Sequence, residues 1–389
     1  MAISRPQVLI PNVADLSKWA VIACDQFTGQ PEYWQELAEH IGDAPSAFRF
    51  ILPEVWLSDQ LETAPAEIAA AMHDSIAAGH FDEVSGYILV ERTLAAGDPP
   101  PKRIGLIAAI DLAEYDFSEN STSKIRATEK TVVERLPARV QVREQAPLET
   151  PHTILFINDP DESVIEKLYA NRDNYQLLYD FELNMGGGRL RGWLIPEDIA
   201  DSFLALEQDG LLAVVGDGNH SVAAAKLAGD TQTLVEIVNI HSDAIDFEPI
   251  HRIIFGAGYS LINALSSYLG KRMEPGQDEV AETRVYHQGI TRSLPIAANP
   301  ADAIADIQQF LDAYQSEHPE IEIDYIHGDQ HLISVSDKHG GVAIFMPTIT
   351  KDGLFEFIAK RGVLPRKSFS VGAPQDKRYY LELAARKRQ

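Results

Sequence analysis

Stretches with helical spacing of hydrophobic residues alternate with short apolar runs along the whole chain. Residues 33–41 and 64–78 place apolar side chains at helical spacing, and Gly79 follows the second stretch as a C-cap. Residues 87–91 and 103–112 are short apolar runs, which predicts two strands. Residues 123–143 predict a helix that Pro137 interrupts. This alternation indicates a mixed α/β (α+β) fold.

The same alternation continues to the end of the chain. Strands are expected at 153–157, 176–183, 190–195, 211–215, 233–240, 321–326, 331–336 and 341–346. Helices are expected at 162–170, 196–208, 221–228, 257–269, 300–314 and 354–360. Glycines 186–188 predict a hairpin turn. A length of 389 residues suggests several domains, which we place at 1–150, 151–256 and 257–389.

The charge balance restricts the classes of partner. Lysine and arginine together number 33 against 58 aspartate and glutamate residues, so the net charge is −25. Such a field repels nucleic acid and anionic membranes, and leaves room only for a small anionic ligand in a locally basic pocket. The apolar runs are too short to span a membrane, the N-terminus has no secretory signal pattern, and Cys24 is the single cysteine. We therefore expect a cytoplasmic protein, and its oligomeric state stays open.

The sharpest local pattern is the segment from Gly216 to Ser221, which follows the apolar run 211–215. Its two glycines permit positive φ and close backbone approach, and a helix is expected directly afterwards. The free amides of a helix N-terminus bind phosphate. Asp217 can hold a metal ion or accept a proton, and His220 adds a titratable donor. The alternative is an ordinary tight turn in which Asp217 or Asn219 caps the helix.

Two basic windows stand out in this acidic chain. Residues 124–143 hold six basic residues against two glutamates, and residues 360–378 hold six against one aspartate. Guanidinium groups bind phosphate bidentately, so either window can form a wall of an anion site. The pair His251-Arg252 predicts a loop-to-strand corner with a cation facing a cleft. The alternative is that these cations lie on solvated surfaces and pair with carboxylates.

Several motifs, taken in order, resemble the bacterial domain-of-unknown-function family 1015. They are residues 125–131 (IRATEKT), 146–148 (APL), 216–220 (GDGNH), 249–252 (PIHR) and 365–368 (PRKS). That family's Asp-Gly-His-His-Arg turn is similar to the phosphate-binding turn of the ParB and sulfiredoxin-like fold, which includes kinases that phosphorylate free serine. Here the turn ends in Asn219, His220 and Ser221, so Ser221 replaces its cation.

The resemblance implies a nucleotide-dependent kinase for a small hydroxyl-bearing metabolite such as serine, with ATP or ADP and Mg²⁺ as cofactors. Together with the local patterns it implies that Asp217, His220 and Glu129 are catalytic, with Asp217 also holding Mg²⁺. The implied phosphate and nucleotide contacts are Gly216, Gly218, Asn219, Ser221, Arg126, Lys130, His251, Arg252, Lys367 and Ser368. We expect Arg126, Glu129, Arg252 and Lys367 to gather around the turn. A phosphatase of a small phosphorylated metabolite and a nucleotide-responsive binding protein remain the alternatives.

Overall fold

A computed structural model describes residues 1–28, 30–95, 98–272 and 280–388. The chain folds into two units: unit 1 comprises Met1–Asp246, Phe355–Gly362 and Gly372–Gln389, and unit 2 comprises Phe247–Leu354 and Val363–Val371. This division differs from the ranges 1–150, 151–256 and 257–389 expected from the sequence. Strands from both sides of residue 150 pair in one sheet, so no linker with few contacts separates the first two ranges.

Strands and helices alternate as the hydrophobic pattern predicts, which confirms the mixed α/β fold. The strands are β1 (Ile3–Ser4), β2 (Gln7–Pro11), β3 (Phe81–Ser85), β4 (Tyr87–Thr93), β5 (Lys102–Asp111), β6 (Tyr115–Asp116), β7 (Ile125–Ala127), β8 (Leu148–Glu149), β9 (Ile154–Ile157), β10 (Gln176–Glu182), β11 (Arg189–Ile195), β12 (Ala213–Asp217), β13 (Gln232–Asn239), β14 (Phe247–Phe255), β15 (Val280–His287), β16 (Ile290–Ala297), β17 (Glu322–His327), β18 (Val342–Ile344), β19 (Phe369–Val371) and β20 (Ala384–Ala385).

The α-helices are α1 (Leu16–Trp19), α2 (Pro31–Ile41), α3 (Leu57–Gln60), α4 (Ala64–Ala77), α5 (Leu136–Gln145), α6 (Ile165–Ala170), α7 (Ala200–Leu204), α8 (Asn219–Leu227), α9 (Tyr259–Arg272), α10 (Pro300–Glu317), α11 (Asp329–His339) and α12 (Lys351–Arg361). Short 3-10 helices lie at Asp25–Phe27, Ala47–Phe50, Glu54–Trp56, Val133–Arg135, Arg172–Asn174 and Pro374–Asp376. Within the described ranges, no helix is both long and apolar enough to cross a membrane.

Unit 1 is built on a mixed sheet with the strand order β10-β11-β4-β5-β13-β9-β12-β7-β6, and β1 also pairs with β5. Both faces of this sheet are covered. On β4, Ile88 and Val90 pack into one core, while Tyr87 and Leu89 pack into the core on the opposite face. Because successive strand residues point to opposite faces, a strand covered on both sides is apolar throughout, as the central strands are.

The C-terminal segment from Gly372 returns to unit 1 and is tied into it along its length. β20 pairs antiparallel with β8, and isolated bridges join Leu9 to Leu383 and Val21 to Tyr380. Near the end of the chain, Arg386 donates to both carboxylate oxygens of the buried Asp230. The buried part of this segment, residues 377–384, is therefore packed into unit 1.

Unit 2 has a separate antiparallel sheet with the order β16-β15-β18-β14-β17, and β19 pairs with the first residues of β14. Its core contains Ile253, Ile326, Leu332, Ala343 and Phe345. The expected strand at 331–336 is wrong, because this stretch lies inside helix α11. A short stretch of mixed apolar and polar residues fits either periodicity, and here packing against the sheet selects the helix.

Two further predicted elements need correction. The basic window at 124–143 is not one helix broken at Pro137: it contains β7, a loop, a 3-10 helix and then α5, in which Pro137 occupies the first turn. Proline is well tolerated there, because the amide that it lacks has no intrahelical partner. His251 and Arg252 do not form a loop-to-strand corner, since they lie in the middle of β14.

Candidate functional site

The turn after β12 joins this strand directly to helix α8, which confirms the predicted strand–turn–helix junction. Gly218 precedes the helix in the left-handed conformation, with φ at 89°. A Cβ at Gly218 would meet the Thr153 hydroxyl at 2.8 Å, and a Cβ at Gly216 would meet the Phe156 ring at 2.2 Å. The neighbouring side chains therefore leave room only for glycine at both positions. At Gly218 the positive φ also favours glycine.

Asp217 is the acidic side chain of this turn, and it lies beside a buried cation. Its Oδ1 accepts a hydrogen bond from the Gly218 amide at 3.0 Å, and its Oδ2 lies 3.4 Å from the Lys377 Nζ. The Lys377 side chain is 9% exposed and that of Asp217 is 32% exposed. The carboxylate is thus accessible from solvent on one side, while the ammonium is held on the buried side.

His152 lies in the electrostatic field of the same pair and is neutral near pH 7. Burial lowers the pKa of His152 to about 4; the Asp217 carboxylate opposes this shift, and the cations Arg378, Arg139 and Lys377 reinforce it. Burial also raises the pKa of Tyr380, which keeps its proton. The Tyr380 hydroxyl lies 2.7 Å from His152 Nδ1, within hydrogen-bond distance.

A buried threonine joins the loop after β7 to the turn. The Thr128 hydroxyl donates to the Val215 carbonyl at 2.6 Å and accepts from the Asn219 Nδ2 at 3.2 Å. The Thr128 amide donates in turn to Asn219 Oδ1 at 3.2 Å. The Asn219 side chain, expected to bind phosphate, therefore has a structural role in fastening the turn, and its ability to contact a ligand stays a prediction.

His220 binds the same loop a few residues further on. The Val132 amide donates to His220 Nε2 at 3.2 Å, so this nitrogen is unprotonated and the neutral ring carries its proton on Nδ1. Contacts at Thr128 and Val132 bring the intervening loop to the turn, and that loop includes the partly buried Glu129. Lys130 is exposed and pairs with Glu119 at 2.6 Å.

Arg126 does not point to the turn, although its strand lies beside β12. Its Nε donates to the Ser123 carbonyl at 2.8 Å, and a terminal nitrogen donates to the Gly210 carbonyl at 3.2 Å. Gly210 precedes β12, whereas the turn follows it, so the guanidinium lies at the opposite end of the strand. Burial lowers the pKa of Arg126. Its contacts are those of a structural cation that satisfies two carbonyls.

Ser221 lies in the first turn of α8, where its amide donates to the Gly218 carbonyl at 2.9 Å. The other predicted residues lie in unit 2, and three of them make contacts within that unit. His251 is buried, accepts from the Met346 amide at 3.0 Å and lies 2.9 Å from Asp329 Oδ1. Arg252 is buried over the Tyr325 ring and donates to Gln308 Oε1 at 3.0 Å. The Ser368 hydroxyl donates to the Pro365 carbonyl at 2.6 Å. The expected gathering of four residues around the turn is wrong for Arg126, whose guanidinium lies at the other end of β12. For Arg252 and Lys367 it stays a prediction.

Sequence reasoning missed three residues of the candidate site: His152, Lys377 and Tyr380. Lys377 lies inside the basic window at 360–378, so charge counting indicated the right stretch but not the right residue. His152 and Tyr380 belong to no motif, and only the return of the C-terminal segment to unit 1 places them beside the turn.

Comparisons with known proteins give one family and a set of distant structures. A family model described as a protein of unknown function (DUF1015) matches residues 7–317. No curated protein matches the chain.

Among solved structures, a variant free serine kinase in complex with ADP is 12% identical with a TM-score of 0.44, over 72% of this chain and 93% of that one. A free serine kinase in complex with AMP is 11% identical with a TM-score of 0.42, over 71% and 90%. A conserved hypothetical protein from Pyrococcus furiosus is 11% identical with a TM-score of 0.41, over 70% and 93%. Lys377 lies beyond the residues that the family model matches.

Proposed function

The chain belongs to the DUF1015 family, and we propose that it is a nucleotide-dependent phosphotransferase that acts at the turn after β12. The nucleotide would be ATP or ADP with Mg²⁺, and the acceptor a small hydroxyl-bearing metabolite such as free serine. Some distant structural neighbours are kinases of free serine, but their TM-scores are below 0.5. The proposal therefore rests on this chain's own residues.

The observation that carries the proposal is the Asp217–Lys377 pair at the amino end of α8. In a protein of net charge −25, this pair puts a buried lysine next to the residue that ends β12, one residue before the N-cap of α8, where the helix dipole is positive. The first-turn amides of a helix have no intrahelical acceptor and bind anions. Asp217, about a third exposed in the same place, adds a group that can act on a hydroxyl, so one turn would serve both anion binding and acid–base chemistry.

Each side chain has a distinct role in this proposal. Lys377 would neutralise phosphate charge in place of the cation that Ser221 replaces. Asp217 would accept the proton of the acceptor hydroxyl as the hydroxyl oxygen attacks the terminal phosphorus. The bond from that phosphorus to the bridging oxygen would break and release ADP from ATP, or AMP from ADP. Glu129, on the loop fastened to the turn, is the second carboxylate available as a base. His220 and His152, both neutral, would donate hydrogen bonds to phosphate or acceptor oxygens.

The residues at the turn fit a magnesium ion that arrives with the nucleotide. Within the described ranges, no group of three or more His, Cys, Asp or Glu side chains could hold a metal by itself. Mg²⁺ in phosphoryl-transfer sites is usually bound by one or two carboxylates together with substrate phosphates. Asp217, about a third exposed, is the carboxylate that would hold it. The ion would neutralise charge on the transferred phosphoryl group.

The direct test is nucleotide binding followed by product detection. Isothermal titration with ADP and ATP, each with Mg²⁺, should give saturable binding to the wild-type protein. Incubation with serine and other hydroxy amino acids should then yield a phosphorylated product detectable by mass spectrometry. Binding without product from any acceptor would favour the regulatory alternative, and release of inorganic phosphate from phosphoserine without nucleotide would favour the phosphatase.

The substitution Asp217→Asn distinguishes an effect on turnover from an effect on folding, because it removes the charge with little change in shape. We expect it to reduce turnover by at least 100-fold, on the order of the contribution of a general base, while the protein stays folded. The matched control is Asp180→Asn, since Asp180 pairs with Arg189 at 2.7 Å in the β10–β11 hairpin. Unchanged turnover in Asp217→Asn would remove Asp217 from the mechanism.

A further inference from the structure

Arg92 lies behind Lys377 and binds the backbone of the segment that carries it. Arg92 is 0% exposed on β4. One terminal nitrogen donates to the Lys377 carbonyl at 2.5 Å and to the Asp376 carbonyl at 3.3 Å, and the other donates to the Gln375 carbonyl. Its Nε and one terminal nitrogen also donate to the Gly187 carbonyl, at 3.1 and 2.9 Å. One guanidinium therefore holds three successive carbonyls against the β10–β11 turn.

The segment itself has little regular structure to fix its course. Residues Pro374–Asp376 form a single 3-10 turn, and the following residues run extended towards β20. A second arginine supports the same point, because Arg103 donates to the Asp376 carbonyl at 2.6 Å. Burying a guanidinium costs free energy unless its donors are satisfied. Arg92 binds all three carbonyls and Arg103 binds one of them, so these contacts specify where the segment lies.

Arg378, the residue after Lys377, shows why the position of the segment matters. Arg378 is fully buried and pairs with Glu382 at 2.7 Å and Glu236 at 3.3 Å, so it is directed into the core. Lys377 is directed instead to Asp217. A shift of the segment along its own direction would move Lys377 away from the turn.

We propose that Arg92 is a positioning residue for Lys377: it holds the carbonyls of residues 375–377 and so places the ammonium beside Asp217. Its effect on nucleotide affinity rests on the function proposed above, whereas its effect on the position of Lys377 does not. The planar fork of donors is essential to this role, because a lysine ammonium at the same place is compact and has no fixed fork.

The test compares Arg92→Lys with a matched control, Arg386→Lys, in the full-length protein. Arg386 is also a buried guanidinium that ties the C-terminal segment to unit 1, through Asp230 and the Ala146 carbonyl. Both variants keep the charge and lose the fork. Arg103→Lys is a second variant of the proposed contact, for use if Arg92→Lys does not fold by far-ultraviolet circular dichroism.

The first measurement is the acetylation rate of Lys377 by acetic anhydride, followed by peptide mass spectrometry. We expect a rise of about ten-fold in Arg92→Lys, a smaller rise in Arg103→Lys and a change within two-fold in Arg386→Lys, since the amine of a released Lys377 is accessible to reagent. A rate in Arg92→Lys equal to that of the control would overturn the positioning role.

The second measurement is a double-mutant cycle on the dissociation constant for ADP with Mg²⁺. Arg92→Lys and Lys377→Met should each weaken binding by roughly ten-fold, and the double variant should be no weaker than Lys377→Met alone, because Arg92 acts through Lys377. Additive losses would contradict that path. A raised acetylation rate with unchanged ADP affinity in every variant would uphold the positioning of Lys377 and refute the proposed nucleotide site.

Discussion

The Nζ of Lys377 lies 3.4 Å from Oδ2 of Asp217, although the two residues belong to separate segments of unit 1, Gly372–Gln389 and Met1–Asp246. The pair joins the C-terminal segment to the turn after β12. Its lysine is nearly buried, and its aspartate is about a third exposed.

Lys377→Met should lower the affinity for nucleotide. Charge-assisted hydrogen bonds contribute on the order of 1.5 to 3 kcal/mol, so a loss of roughly ten-fold or more is expected from a direct phosphate contact. The measurement is isothermal titration with ADP and Mg²⁺. Lys387→Met is the control, because Lys387 is an exposed lysine of the same segment that donates to Gln232. Equal affinities in the two variants would exclude a phosphate contact by Lys377.

Arg126→Ala should cost stability and leave nucleotide affinity within two-fold of wild type. The guanidinium satisfies the carbonyls of Ser123 and Gly210, away from the turn, so its removal should lower the free energy of unfolding by about 2 kcal/mol. Urea unfolding and nucleotide titration measure the two quantities. A ten-fold loss of affinity with unchanged stability would instead make Arg126 a phosphate contact.

The neutral state of His152 should appear in the pH dependence of stability. Its pKa falls from the ordinary 6.5 to about 4 on folding, so between these values the unfolded chain binds the proton more strongly. This contribution to stability is present above pH 6.5 and is lost as the pH falls towards 4. His152→Asn keeps a hydrogen-bonding side chain beside Tyr380 and cannot titrate, so the stability of this variant should fall less steeply over this window. Parallel urea-derived stability curves for the two proteins would show that His152 is not held neutral.

Gly216→Ala should destabilise the turn by overpacking. The new Cβ would lie 2.2 Å from the Phe156 ring, and such a clash typically costs about 1 to 3 kcal/mol. Adding Phe156→Leu should recover part of that loss, which a double-mutant cycle on the free energy of unfolding would detect. Gly270→Ala is the control, because its Cβ would meet nothing within 4 Å and the exposed site lies in helix α9. That substitution should raise stability by up to about 1 kcal/mol.

Local features of the sequence determined the mixed α/β fold, the β10–β11 hairpin around its glycines and the junction from β12 through Gly218 to α8. These features follow from residue periodicity and turn chemistry, which act over a few residues and can therefore be predicted from the sequence. The stretch now in helix α11 was the exception, since a short run fits both periods and its packing decided the outcome.

Tertiary structure alone decided which charged groups meet. It turned Arg126 to the start of β12, embedded His251 and Arg252 in β14, and brought Lys377 and Tyr380 from the C-terminal segment to Asp217 and His152. The basic windows showed where cations are abundant, but not where their side chains point. The destination of a long side chain depends on which carbonyls and carboxylates the fold leaves to be satisfied nearby, and residues remote in sequence supply those partners.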